Sequence, residues 1–234
     1  MNVKQTEFSF EESLKYIDDL AAQMKDDSPL PVCDTLTKDD LLSKDIAQAH
    51  GTVMVVKVVQ HPWMKEGRIR EYVYHTTMTL MMNVVRSTKN LRHLDVQTDG
   101  GLLAMFDTPM KKDVEEIINV SAQVRSVNDV VLRKFGQELT SQIVTVGMDY
   151  GSVVCYNGDD PIEDLFFAGK AIKTAKMLTG VKDDCVVISH DIYINLSEEM
   201  QNNLFKEEDA AEGIQYHYSP LINIRMRKWV VEHE

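Results

Sequence analysis

Residues 91–106 read LRHLDVQTDGGLLAMF, two short runs of strand character on either side of Asp99-Gly100-Gly101. Asp-Gly and Gly-Gly are the dipeptides that accept the positive φ angles of the tight turns joining antiparallel strands. Leu91–Thr98 and Leu102–Phe106 are therefore expected to form a hairpin. Upstream, TVMVVKVV (Thr52–Val59) is β-branched and almost wholly apolar, the pattern of a strand covered on both faces, with Lys57 as the anomaly in its middle. Between the two, Glu66 to about Ser87 repeats apolar residues at helical spacing through Tyr72, Val73, Thr76, Leu80, Met81 and Val84. Downstream, 112–135 is an amphipathic helix with Val114, Ile117, Ile118, Val124, Val127 and Val131 inward. Gln142–Met148 is a strand, and Tyr150-Gly151 separates it from a second short strand through Cys155. The order is βαββαβ. With right-handed crossovers it closes into a ferredoxin-like α+β plan, an antiparallel sheet carrying both long helices on one face. A helix at 169–178 and a strand at 185–188 follow.

The N-terminal stretch has a different texture. Ser9 and Glu12 have capping-box spacing, and Phe10, Leu14, Ile17, Leu20, Ala21 and Met24 form one stripe, which predicts a helix over 9–25. Pro29 and Pro31 end it. Residues 1–45 read as a helical appendage and linker, and 46–234 as the main domain.

Composition excludes several classes. Lys plus Arg is 25 against 37 for Asp plus Glu, a formal charge of −12, which argues against a whole-surface nucleic-acid binder. No apolar run reaches membrane-spanning length and no signal segment is readable, so a cytoplasmic protein away from membranes is expected. Cys33, Cys155 and Cys185 are odd in number and far apart, which suits reduced thiols and not structural zinc.

Three features carry possible chemistry. Asp99 sets a carboxylate at the hairpin turn, where most such residues merely shape the bend. Lys57 is costly inside a strand unless it meets an anion or reaches solvent. In GKAIKTAKML (169–178), Lys170 and Lys173 share a helix face and Lys176 continues the row, beside a glycine at the helix start. This row is either a phosphate cradle or a solvated face. No GxxxxGKS/T, HExxH or GxSxG motif is present.

Taken in order, DGGLLAMFDTPMKKDVEEI (99–117), VTVGMDYGSVV (144–154), DLFFAGKAIKTAKMLTG (164–180) and YHYSPLINIRMRKW (216–229) resemble the class III nucleotidyl cyclases. Within that group the chain is most similar to the bacterial Pycsar-type pyrimidine nucleotide cyclases of antiphage defence, and SFEESLKYIDDL (9–20) resembles their opening segment. The resemblance implies the cyclase fold and a head-to-tail dimer with shared clefts. It also implies a reaction in which a ribose 3′-hydroxyl attacks its own α-phosphorus and pyrophosphate leaves. In that family two aspartates hold two metal ions, and an asparagine and an arginine serve the ribose and the developing charge.

Carried over residue by residue, the four positions fall on Lys57 (or its neighbours Val56 and Val58), Gly100, Lys173 and Met177, none with the family's side chain. Asp99 is one place from the second aspartate and is a weak metal candidate. An ammonium where a metal-binding carboxylate belongs reverses the local charge, at about 4 kcal/mol per unit charge for about 4 Å and an effective dielectric near 20. The same lysines attract a triphosphate. The expectation is a catalytically degenerate, cyclase-like dimer without metal cofactor. It would use Lys57, Asp99, Lys170 and Lys173 to bind nucleotide, and pair with itself or with a related active cyclase. The alternative is an active pyrimidine cyclase that makes cUMP or cCMP with Mg²⁺ or Mn²⁺ and uses Asp99 with Asp95 or Asp107.

Overall fold

The apolar run at Thr52–Val59 is the middle of a longer strand in the computed structural model. That structure describes residues 14, 15, 18, 32, 46–60, 68–97, 99–135, 142–157, 165–205 and 207–233. The chain divides into two units, Met1–Pro31 and Val32–Glu234. In the first, Leu14, Lys15 and Asp18 are helical, and the rest of the helix expected over 9–25 lies outside the described residues, as do Cys33, Glu66 and Thr98.

In the second unit β1 (Ile46–Gln60) is followed by α1 (Arg68–Arg86), β2 (Leu91–Val96), β3 (Leu102–Phe106), α2 (Lys111–Phe135) and β4 (Gln142–Asn157). Then come β5 (Leu165–Ala168), α3 (Lys170–Leu178), β6 (Val186–Ser189), α4 (His190–Tyr193) and α5 (Glu198–Leu204). The chain closes with β7 (Glu207–Ala211), β8 (Ile214–Ser219) and α6 (Ile224–Glu232). The strands form one eight-stranded sheet in the order β2-β3-β1-β4-β6-β8-β7, with β5 on β4. The βαββαβ core and its hairpin are as the sequence implies. The β4–β6 pair runs parallel within an otherwise antiparallel sheet. β4 is also continuous through Tyr150-Gly151, because Gly151 pairs with Gly51 and the flanking residues keep register with β1.

Alternation along β1 and β3 builds two cores. Met54, Val56, Leu102, Ala104 and Phe106 face α1 and α2, meeting Val73, Met81 and Val85 from one and Ile117, Ile118 and Val124 from the other. Tyr72 and Leu80, expected inward on α1, are exposed. Val53, Val55, Leu103 and Met105 face the opposite side and pack under Ala171 and Ala175 of α3. That cover stops at Val55. Lys57 and Val59 are therefore exposed, and the expectation that both faces of the strand are buried holds only for its centre.

Small residues let α3 lie this close. A Cβ on Gly147 would fall 2.2 Å from the Ala175 carbonyl oxygen and 2.9 Å from the Thr179 amide. Any side chain there lifts the helix, an overpacking cost of about 1–3 kcal/mol. On the other face the buried Arg125 of α2 ties distant segments together. It pairs with Asp184 at 2.8 Å and donates to the carbonyls of Asp184 and Leu221, each at 2.9 Å. No helix among the described residues is long and apolar enough to cross a membrane.

Candidate functional site

The β2–β3 turn is shaped by its glycines. Gly100 has φ +80°, a conformation in which a side chain is strained, and its amide donates to the Gln97 carbonyl at 2.9 Å. The turn leaves Asp99 outward but engaged on both sides. Its Oδ1 accepts the Gly101 amide at 3.2 Å, and its Oδ2 lies 3.4 Å from Nζ of Lys176 on α3. The Gly101 amide, and after it the Lys176 ammonium, hold the carboxyl below the usual carboxylate range. From α1 the Tyr74 hydroxyl donates to the Gly100 carbonyl, and burial, then the Asp99 charge, push its pKa up.

Lys57 approaches the same place from β1. The β1–β3 ladder ends at Val56 opposite Leu102, so Lys57 stands one residue beyond it, on the face of Val53 and Val55 that α3 covers. A Cβ on Gly101 would lie 2.5 Å from the Val56 carbonyl oxygen and 3.3 Å from Asp99 Oδ1, which sets the carboxylate beside the Val56–Lys57 peptide. The contact at this end of α3 is thus Asp99 with Lys176, while Lys57 stands on the neighbouring strand and makes no ion pair with Asp99 among the described residues. Lys176 is about a quarter-turn from Met177, the carried-over arginine position, and its long stem brings the ammonium to Asp99.

The other expected residues separate. Lys173 is exposed on α3, and Met177 is half-buried in an apolar cluster with Leu178, Cys185 and Val187. Lys170 stands six residues from Lys176, about 9 Å along the helix, and the structure does not bring it to Asp99. It lines a separate polar cavity with Asp149 of β4. Asp107 is at the far end of β3 from the turn, paired with Arg92 at 3.3 Å, and Asp95 accepts from Gln97 at 3.2 Å. Neither is brought together with Asp99.

No family model and no curated protein matches the chain. Solved structures do. The guanylyl cyclase Cya2 superposes with a TM-score of 0.60 at 12% identity, over 76% of this chain and 94% of that one. A class III adenylyl cyclase-like ATP-binding protein from Pseudomonas aeruginosa gives 0.59 at 12% identity, over 94% of this chain and 49% of that one. A dimeric guanylyl cyclase domain of the RhoGC fusion protein from the aquatic fungus Blastocladiella emersonii gives 0.55 at 12% identity, over 77% and 99%. The fold is that of the class III nucleotidyl cyclases.

On this cyclase fold the donor set can be tested against the metals that the family resemblance implies. Hard divalent cations take oxygen ligands. The residues at the two carried-over positions are Lys57 and Gly100, and both oxygens of the neighbouring Asp99 face hydrogen-bond or ionic partners. This set does not fit a magnesium pair.

Asp149 was not singled out from the sequence. Its carboxyl is 4% exposed, accepts the Tyr150 amide at 2.9 Å, and hydrogen-bonds the hydroxyls of Ser189 and Thr174. Burial first, with Asp191 adding, raises its pKa. A carboxylate in the middle of the apolar run VTVGMDYG was the available signal.

Proposed function

We propose that the chain is a catalytically degenerate nucleotidyl-cyclase-like protein of the Pycsar antiphage type. In this reading it is a bacterial, cytoplasmic dimer that binds a nucleoside triphosphate or a protein partner in the former catalytic cleft and acts as a regulator. Residues 46–234 form its cyclase-like domain and 1–45 its appendage. One observation carries the reading: Asp99, the carboxylate next to the carried-over hairpin position, is paired with a lysine of its own chain, Lys176. Lys57 and the exposed Lys173 support attraction of phosphate at the same end of the domain. That a protein of this fold is described as cyclase-like and ATP-binding supports a nucleotide as ligand. That another is described as a non-canonical dimer supports pairing as such, and the head-to-tail arrangement, with a second copy or with an active cyclase, is what the family resemblance implies.

The test is incubation of the purified protein with ATP, GTP, CTP or UTP and Mg²⁺ or Mn²⁺, alongside calorimetric titration. The expected result is binding of a triphosphate, weakened at least tenfold in Lys57→Glu, without cyclic product. Cyclic UMP or CMP formed by the wild type and lost in Asp99→Asn overturns the reading in favour of an active pyrimidine cyclase.

A further inference from the structure

The separate polar cavity, about 180 Å³, opens at the end of α3 away from Lys176. Its walls are the side chains of Asp149, Asp191, His190 and Lys170 and the hydroxyls of Thr174 and Ser189, closed by Gly213 of the β7–β8 turn and the start of β8. Two charges of opposite sign divide it. On one side Asp149 is buried with the Asp191 carboxylate nearby, and neither makes an ion pair among the described residues. Asp149 is held by hydrogen bonds from the Tyr150 amide and the Ser189 and Thr174 hydroxyls, and a cation entering the cavity would add the charge compensation that these do not supply. On the other side stands Lys170, first residue of a nine-residue helix whose N-cap, Gly169, offers no side-chain acceptor to the first-turn amides. First-turn amides without a side-chain cap, together with a lysine, favour an anionic group.

We infer that this cavity binds a compact zwitterion of the free α-amino acid class, its ammonium on Asp149 and Asp191 and its carboxylate on Lys170 and the start of α3. Single charges fit it less well, because a lone cation leaves Lys170 and the helix start uncompensated and a lone anion meets two carboxylates. The volume suits a small ligand of few heavy atoms. The site is independent of nucleotide binding, since it lies at the opposite end of α3 from Asp99.

The experiment compares L-alanine with its two half-ligands, ethylammonium and propanoate, by NMR titration of the whole chain. L-Alanine is expected to bind at least tenfold more tightly than either half. Asp149→Asn weakens L-alanine and ethylammonium but leaves propanoate unchanged; Lys170→Gln weakens L-alanine and propanoate but leaves ethylammonium unchanged. Asp191→Asn serves in place of Asp149→Asn should that variant not fold, and predicts the same pattern. L-Alanine binding no better than its halves, or equally in all variants, overturns the assignment whatever the outcome with nucleotides.

Discussion

At Asp99 the turn amide is the largest single influence on the carboxyl, and the lysine acts with it. Both side chains of the Asp99–Lys176 pair are more than half exposed, 58% and 60%, so solvent screens the attraction and the pair contributes at most about 1 kcal/mol. The Asp99 pKa is depressed in the folded state, so its stabilising contribution is present above the unfolded value of about 3.9 and is lost as pH falls through the folded one. Lys176→Ala is therefore expected to cost under about 1 kcal/mol. In that variant the Asp99 carboxyl moves up without reaching its ordinary value, because the Gly101 amide remains. A carboxyl-carbon NMR titration with urea unfolding at neutral pH reads both; an unchanged Asp99 titration in the variant refutes the pairing. Residue-level chemistry was partly legible in the sequence. Lys57 and Asp99 stood out as charges in apolar or turn settings. Lys176 stood out as part of the lysine row, but its pairing with Asp99 did not, since that contact depends on how α3 lies over the hairpin.

Elements with a continuous apolar period were readable, and those without were not. β1, the β2–β3 hairpin and both long helices carry their pattern in the residues themselves. The N-terminal extension of β1, AQAHG, has no such run and is held in the sheet by pairing with β4. β7, with sequence EEDAA, is an edge strand defined by its ladder to β8. β8 in turn is fastened to α4 by rings. His217 lies flat on Tyr193, centroids 3.6 Å apart and planes 7° from parallel, and its Nε2 is 3.3 Å from Nδ1 of His190. A single proton serves that contact, and Glu208 of β7 faces His217 across the ladder. Burial, and after it His190, lowers the His217 pKa despite Glu208. The unfolded chain, titrating near 6.5, then binds more protons than the folded one just below that pH. Stability should accordingly rise with pH through this window and level off above it. The raised pKa of Asp149 acts with the opposite sign and from a lower pH, since its unfolded value is near 3.9. His217→Gln is expected to flatten the rise, measured as urea midpoints between about pH 5 and pH 7.5. A slope equal to that of the wild type counts against the clasp.

Over the whole molecule the sign of charge changes with distance. The formal charge is −12, yet the cationic residues Lys57, Lys173 and Lys176 are carried by β1 and α3, the elements that build the proposed cleft. A triphosphate far from the protein meets the net field, and one at the cleft meets the lysines. Ionic strength selects between them, because the screening length is about 30 Å at 0.01 M salt and about 8 Å at 0.15 M. At low salt the whole acidic molecule repels the ligand, and pairing of two chains would double that charge. At higher salt only the nearby lysines are felt. The association rate of a fluorescent nucleoside triphosphate is therefore expected to rise with salt over this range, whereas a basic binding protein is slowed by it. The dissociation rate should rise as well, since the ammonium–phosphate contacts are themselves weakened. Stopped-flow mixing separates the two rates. Association that slows steadily with added salt would mean that the lysines dominate even at long range, and that the net acidity of the chain plays no part in how ligand reaches the cleft.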